Sequence, residues 1–260
     1  EPAAVNVAGS VNRGYFGGGH NGSSGVSEID GIQFSDESAI NPAAVLAVAR
    51  YYLAGVSSST RGYFGGGNGP SSEIDGIQFS DESAVNPAAV LAVDRSALAG
   101  VASSTRGYFG GGTTGSRSAE IDGIQFSDES AINPSATLSV ARNFLAGVNS
   151  STRGYWGGGD ALGGDTSEID GLQFSDESAI NPSATLSVAR YGLAGVQSQG
   201  NGAVATVTFT GAAVQITAAD LTSAAAATAT FTGQGVQIAP ADLTSTATAS
   251  LTTTGEATGA

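Results

Sequence analysis

Residues 61–79 read Arg61-Gly62-Tyr63-Phe64-Gly65-Gly66-Gly67-Asn68-Gly69-Pro70-Ser71-Ser72-Glu73-Ile74-Asp75-Gly76-Ile77-Gln78-Phe79. Two short apolar runs lie between Gly, Asn, Pro and Ser, which is the pattern of two strands joined by a turn. The stretch recurs. Arg-Gly-Tyr-Phe-Gly-Gly-Gly begins at Arg13, Arg61 and Arg106 and returns at Arg153 with Trp156 in place of Phe, at intervals of 48, 45 and 47 residues. The acidic segment that follows starts at Glu28, Glu73, Glu120 and Glu168. Asn-Pro comes next, at Asn41, Asn86, Asn133 and Asn181. A short apolar stretch then ends in Arg50, Arg95, Arg142 and Arg190, and Leu-Ala-Gly-Val begins at Leu53, Leu98, Leu145 and Leu193.

One unit predicts four short strands, at 52–56, 62–65, 73–79 and 88–93. The last also fits a helix start with Pro87 at its first position. In the third and fourth copies this stretch alternates as Pro-Ser-Ala-Thr-Leu-Ser-Val, which favours a strand. Copies differ in length only between the triple Gly and the acidic segment, at 20–27, 68–72, 113–119 and 160–167. Variable length in a Gly/Ser-rich stretch marks a surface loop on a constant frame.

Four strands in about 45–50 residues is the arithmetic of a propeller blade. The order of Arg50, Leu53 to Val56, Tyr63-Phe64-Gly65-Gly66-Gly67, Ile74 to Phe79 with Asp81, and Ala88 to Val93 resembles the kelch repeat. The resemblance covers roughly residues 5 to 199. It departs in lacking the Trp of the fourth strand and in the near identity of its copies. It implies an all-β chain with a small β-propeller of four kelch-like four-stranded blades. The units fall at about 5–50, 51–95, 96–142 and 143–190. An orphan inner strand at 191–199 completes the propeller region 1–199, with a fifth blade supplied by the C-terminal region or a neighbouring chain. The tandem units also resemble repeats of tailed-phage fibre and virion surface proteins.

The repeated Arg13, Arg61, Arg106 and Arg153, the second set Arg50, Arg95, Arg142 and Arg190, and Tyr15, Tyr63, Tyr108, Tyr155 and Trp156 read as structural positions. The second Arg set is expected to pair with the Asp30 or Asp36 equivalents across a unit boundary. Ala-Gly-Val in the inner strand suits a crowded axis. From 200 to 260 the composition shifts to Thr and Ala, with a 22-residue repeat: Thr206 to Gly211 returns as Thr228 to Gly233. Each copy reads as a β-hairpin in a module for packing or assembly.

The formal net charge is −14, with no Lys, Cys or Met. This speaks against nucleic acid or an anionic membrane as partner. It excludes disulfides and thiol nucleophiles. No segment has the roughly 18 apolar residues needed for membrane insertion. With no Met at its head, Glu1 is not expected to be a translated start. His20 is the only histidine and sits in a variable loop. No cofactor is expected. Asp36, Asp81, Asp128 and Asp176 offer hard oxygen ligands for Ca²⁺, but lack EF-hand spacing; fourfold recurrence points to architecture, so no metal is expected.

The expectation is therefore a non-enzymatic structural or adhesive protein, extracellular or on a virion surface, such as a phage fibre component. Its loops would meet a host surface glycan through His20, Asn21, Asn68, Thr113, Arg117, Asp160 and Asp165. Its partners would be copies of itself or other virion or filament proteins. The alternative is a self-assembling filament or coat subunit, and a glycan hydrolase ranks last.

Overall fold

Each repeat folds into one small antiparallel sheet. The computed structural model describes residues 13–69 and 71–197. Beyond them it describes the backbone of Thr206–Thr210, Gln215–Ile216, Thr228–Thr232 and Gln237–Ile238. Among the described residues there is no helix. The chain divides into two compact units, 1–197 and 198–260.

In the second repeat an inner strand, Ala54–Ser57, pairs with an aromatic strand, Arg61–Gly65. That strand pairs with an acidic strand, Ser71–Gln78, and the acidic strand with a two-residue strand, Ala84–Val85. The third repeat has the same order in Ala99–Ala102, Arg106–Gly110, Ile121–Gln125 and Ala131–Ile132. So does the fourth, in Ala146–Asn149, Arg153–Gly157, Ile169–Gln173 and Ala179–Ile180. The first repeat shows Arg13–Gly17, Ile29–Gln33 and Ala39–Ile40. The residues before Arg13 in the first unit, from about residue 5, which by alignment with the later units would hold the inner strand, lie outside the described residues.

Local chemistry fixes the turns. Ser58 Oγ accepts the amides of Thr60 at 3.1 Å and Arg61 at 3.0 Å, closing the inner strand onto the aromatic one. After the acidic strand, Asp81 Oδ1 accepts from Ser83 N at 3.1 Å and Ser83 Oγ at 2.7 Å, while Glu82 takes φ 58°. An Asx-type turn of this kind lets a non-Gly residue adopt the left-handed region. The same turn recurs with Asp36, Asp128 and Asp176.

The fourth strand differs from the expectation. The outer edge of the acidic strand is covered in two pieces. Ala84–Val85 pairs with Gly76 and Ile77, and Val90–Arg95 pairs near Ser71 and Glu73 across a bulge. Asn86-Pro87 interrupts them, because proline brings no N–H to a ladder. In the first and third repeats the second piece shrinks to one bridge, Glu28 to Val45 and Glu120 to Thr137.

The apolar core lies between repeats. One cluster joins Ile29, Ala44 and Leu46 to Phe64 and Ile77 of the next repeat. The second joins Val56, Tyr63, Ile74 and Leu91 to Leu98, Phe109 and Ile124. The third joins Tyr108, Ile121 and Leu138 to Leu145, Trp156 and Leu172. A two-sided core of this kind explains why both faces of 121–124 are buried. The sheets therefore stack face to face, with inner strands nearest one another. A Cβ on Gly100 would collide with the Gly55 carbonyl, and one on Gly147 with the Gly100 carbonyl, so glycine permits this approach. The segment expected as a fifth inner strand has no sheet partner among the described residues, yet Gly195 lies against the Gly147 carbonyl in the same way.

In the 198–260 unit the hairpin expectation is overturned. Thr206–Thr210 pairs parallel with Thr228–Thr232, placing Phe209 opposite Phe231, and Gln215–Ile216 pairs parallel with Gln237–Ile238. Segments 22 residues apart leave room for the long connection that parallel pairing needs. Near-identical segments then align in register, differing only at Val207 and Ala229, which a hairpin would prevent.

Candidate functional site

Two sets of side chains recur at every junction, and they separate structural residues from residues free for another role. In the first set, the arginine ending one repeat reaches into the next. Arg50 Nη1 meets Asp75 Oδ2 at 2.6 Å, Arg142 Nη1 meets Asp170 Oδ2 at 2.5 Å, and Arg95 pairs with Asp122. All three arginines are buried. The partners are the Asp30 equivalents. The guanidinium groups also donate to the carbonyls of Phe64 and Trp156 at 3.0 Å, and to that of Gly111 at 2.7 Å. Burial pushes the Asp122 carboxyl up, opposed by the Arg95 charge and the Ala92 amide at 2.8 Å.

In the second set, the first arginine of one repeat meets the turn glutamate of the next. The pairs are Arg13 with Glu82 at 2.7 Å, Arg61 with Glu129 at 2.9 Å and Arg106 with Glu177 at 3.1 Å. The same carboxylates accept the hydroxyls of Tyr15, Tyr63 and Tyr108. Those rings stack on Phe79, Phe126 and Phe174 at 5.5–5.6 Å. Burial, together with the Glu129 and Glu177 carboxylates, pushes the Tyr63 and Tyr108 hydroxyls up to about 12, against the opposing pull of Arg61 and Arg106. The Asp36, Asp81, Asp128 and Asp176 carboxylates are held low by their serine hydrogen bonds. Among the described residues no three acidic or histidine side chains converge on one point.

The variable residues gather elsewhere. The third Gly of each triplet donates its amide to the carbonyl of the arginine ending the same repeat: Gly19 to Arg50, Gly67 to Arg95, Gly112 to Arg142 and Gly159 to Arg190, at 2.8–2.9 Å. The insert loop therefore starts beside the dipeptide after that arginine. This dipeptide is also variable: Tyr51-Tyr52, Ser96-Ala97, Asn143-Phe144 and Tyr191-Gly192. Its second member has φ 59°, 55°, 53° and 66° in turn. These members form a backbone ladder across the stack, Ala97 N to Tyr52 O at 2.8 Å, Phe144 N to Ala97 O at 2.9 Å and Gly192 N to Phe144 O at 2.8 Å.

Side chains along this edge form an aromatic row. His20 meets Tyr51 edge-on at 4.9 Å, Tyr51 meets Tyr52 at 4.8 Å, Tyr52 meets Phe144 at 5.4 Å and Phe144 meets Tyr191 at 6.1 Å. Tyr52 and Tyr191 are 54% and 58% exposed, which leaves ring area open to solvent. The sequence signal for Tyr51, Tyr52, Phe144 and Tyr191 was the variability of the dipeptide, hidden by its position between two constant motifs.

The seven loop residues expected to bind differ in their freedom. Asn21 Oδ1 accepts from the Ser23 and Ser24 amides, shaping its own loop. His20 Nδ1 accepts the Gly22 amide at 3.0 Å. Asn68 donates to Tyr51 twice, from its amide to the carbonyl at 2.6 Å and from Nδ2 to the hydroxyl at 2.5 Å. Thr113 bridges Ser96 and Arg117. Arg117 Nη2 grips both carboxylate oxygens of Asp160 at 2.6 Å, linking the third loop to the fourth. Asp165 faces Asp160 in the small hairpin of the fourth loop, whose other strand, Asp160–Ala161, pairs with Arg142–Asn143. Loops and dipeptides thus make one continuous edge. Comparison with protein-family models and with curated proteins gives no match.

Proposed function

We propose that this chain is a non-enzymatic display protein, a kelch-like arc of propeller blades whose variable edge recognises a surface glycan. The setting proposed is extracellular, on a phage fibre or other virion appendage. One observation carries the reading. Positions that vary between otherwise near-identical repeats lie along one edge and include an exposed aromatic row. Variation confined to an edge of a rigid frame is how a scaffold separates recognition from folding. Tyrosine suits it, because the ring is stiff, offers an apolar face to the C–H face of a sugar and carries a hydroxyl for its polar rim. At the three described junctions the Asp75 and Glu82 positions pair with arginines and the Asp81 position shapes a turn, which supports structure over hydrolysis.

A surface-polysaccharide array probed with the full chain tests this. Binding to at least one glycan is expected, with Tyr52→Ala or Tyr191→Ala weakening it about tenfold or more. Ala97 already occupies the Tyr52 position in the third repeat with φ 55°, so the Tyr52 substitution keeps the backbone. No binding to any glycan, or binding untouched by both substitutions, contradicts the reading.

A further inference from the structure

The described stack has two unlike ends, and each carries the half of a junction that the other lacks. At an internal junction, the later repeat supplies an aromatic ring, an aspartate, a phenylalanine and a turn glutamate. Between the first and second repeats these are Phe64, Asp75, Phe79 and Glu82. The earlier repeat supplies Arg13, Tyr15, Gly17 and Arg50. The Phe64 ring lies over Gly17, Phe109 over Gly65 and Trp156 over Gly110.

At the head of the stack the equivalent residues are Phe16, Asp30, Phe34 and Glu37, and all four are exposed, Phe16 at 68% and Phe34 at 54%. At the tail they are Arg153, Tyr155, Gly157 and Arg190. Arg190 is exposed, whereas Arg50, Arg95 and Arg142 are at most 1% exposed. Among the described residues neither Arg153 nor Arg190 meets a carboxylate, and no ring lies over Gly157. Among the described residues both ends are open, and the four sheets do not close on one another.

We propose that the tail of one copy docks on the head of a second copy, repeating the internal junction between chains. Arg190 then meets Asp30, Arg153 meets Glu37, Phe34 stacks on Tyr155, and Phe16 covers Gly157. The two ends are oppositely charged and match in shape at every position used three times inside the chain, which favours a second copy over an unrelated partner. The contact is heterologous, so it closes or propagates according to the rotation per repeat. Propellers close with about four to eight blades; four sheets stay open here, and two copies supply eight. A closed pair is the expected product. This inference is independent of glycan binding.

Light scattering after size exclusion, on the full chain over a concentration series, reads the outcome. The 25.4 kDa chain is expected to run at twice its mass. A series of higher multiples equally supports head-to-tail docking. Asp30→Arg and Arg190→Asp are each expected to weaken association more than about tenfold. Mixing the two variants restores it, since the pair rebuilds one native and one reversed contact; this recovery also shows that each variant is folded. A wild-type monomer across the series, or association unaffected by either variant, or failure of the mixture to recover, overturns the proposal.

Discussion

Replacing Asp122 by Ala is expected to cost about 3–5 kcal/mol of stability, measured by urea unfolding. Asp122 is 2% exposed and faces Arg95, which is fully buried. Removing the carboxylate leaves a guanidinium among apolar neighbours with only the carbonyls of Phe109, Gly111 and Glu120 to satisfy it. A buried charge without its counter-charge is what makes such losses large; the intact pair contributes less, because both groups were stripped of water to form it. The double variant Arg95→Met with Asp122→Leu should therefore recover part of the loss. If the single substitution costs under about 1 kcal/mol, the guanidinium is hydrated and the junction is not closed.

Trp156→Ala carries the second large effect, about 3–5 kcal/mol. The ring is fully buried over Gly110, and its Nε1 donates to the Ala99 carbonyl at 2.9 Å. Phe64 and Phe109 occupy this position in the second and third repeats. Trp156→Phe thus restores a ring the scaffold already accepts and should cost only about 1–2 kcal/mol, chiefly the lost hydrogen bond and a small void. Equal losses for Ala and Phe would show that the hydrogen bond, rather than the ring in its glycine slot, holds the third and fourth repeats together.

Much of this was legible in the sequence because the repeats are nearly identical. The register Arg61 to Phe79 named the aromatic and acidic strands, and the recurrence of Arg50 suggested a pair across a boundary with the Asp30 or Asp36 equivalent, of which the structure shows the first, Asp75. Three features were not legible. Ala84–Val85 is too short to show a period-2 signal, and Asn86-Pro87 hides its continuation. The parallel pairing of Thr206–Thr210 with Thr228–Thr232 is masked because alternating Thr and apolar residues suit either strand direction. The edge at Tyr52 and Phe144 depends on the Gly67 and Gly112 amides folding back to Arg95 and Arg142, contacts 28 and 30 residues apart in the chain that no local pattern announces. Of the candidate binding residues, Arg117 and Asp160 are tied to each other, so the aromatic row carries more of the proposed recognition than the charged loop residues do.

The repeats share one stacked frame. Hydrogen exchange by NMR at the Ala97 and Phe144 amides tests this most directly. Their acceptors, Tyr52 O and Ala97 O, lie one repeat earlier, and neither bond belongs to a strand pair. Stacked repeats predict that both amides exchange as slowly as the strand amides of Tyr63 and Ile124. Rapid exchange at Ala97 and Phe144 beside protected strands would mean that each sheet folds as a separate bead.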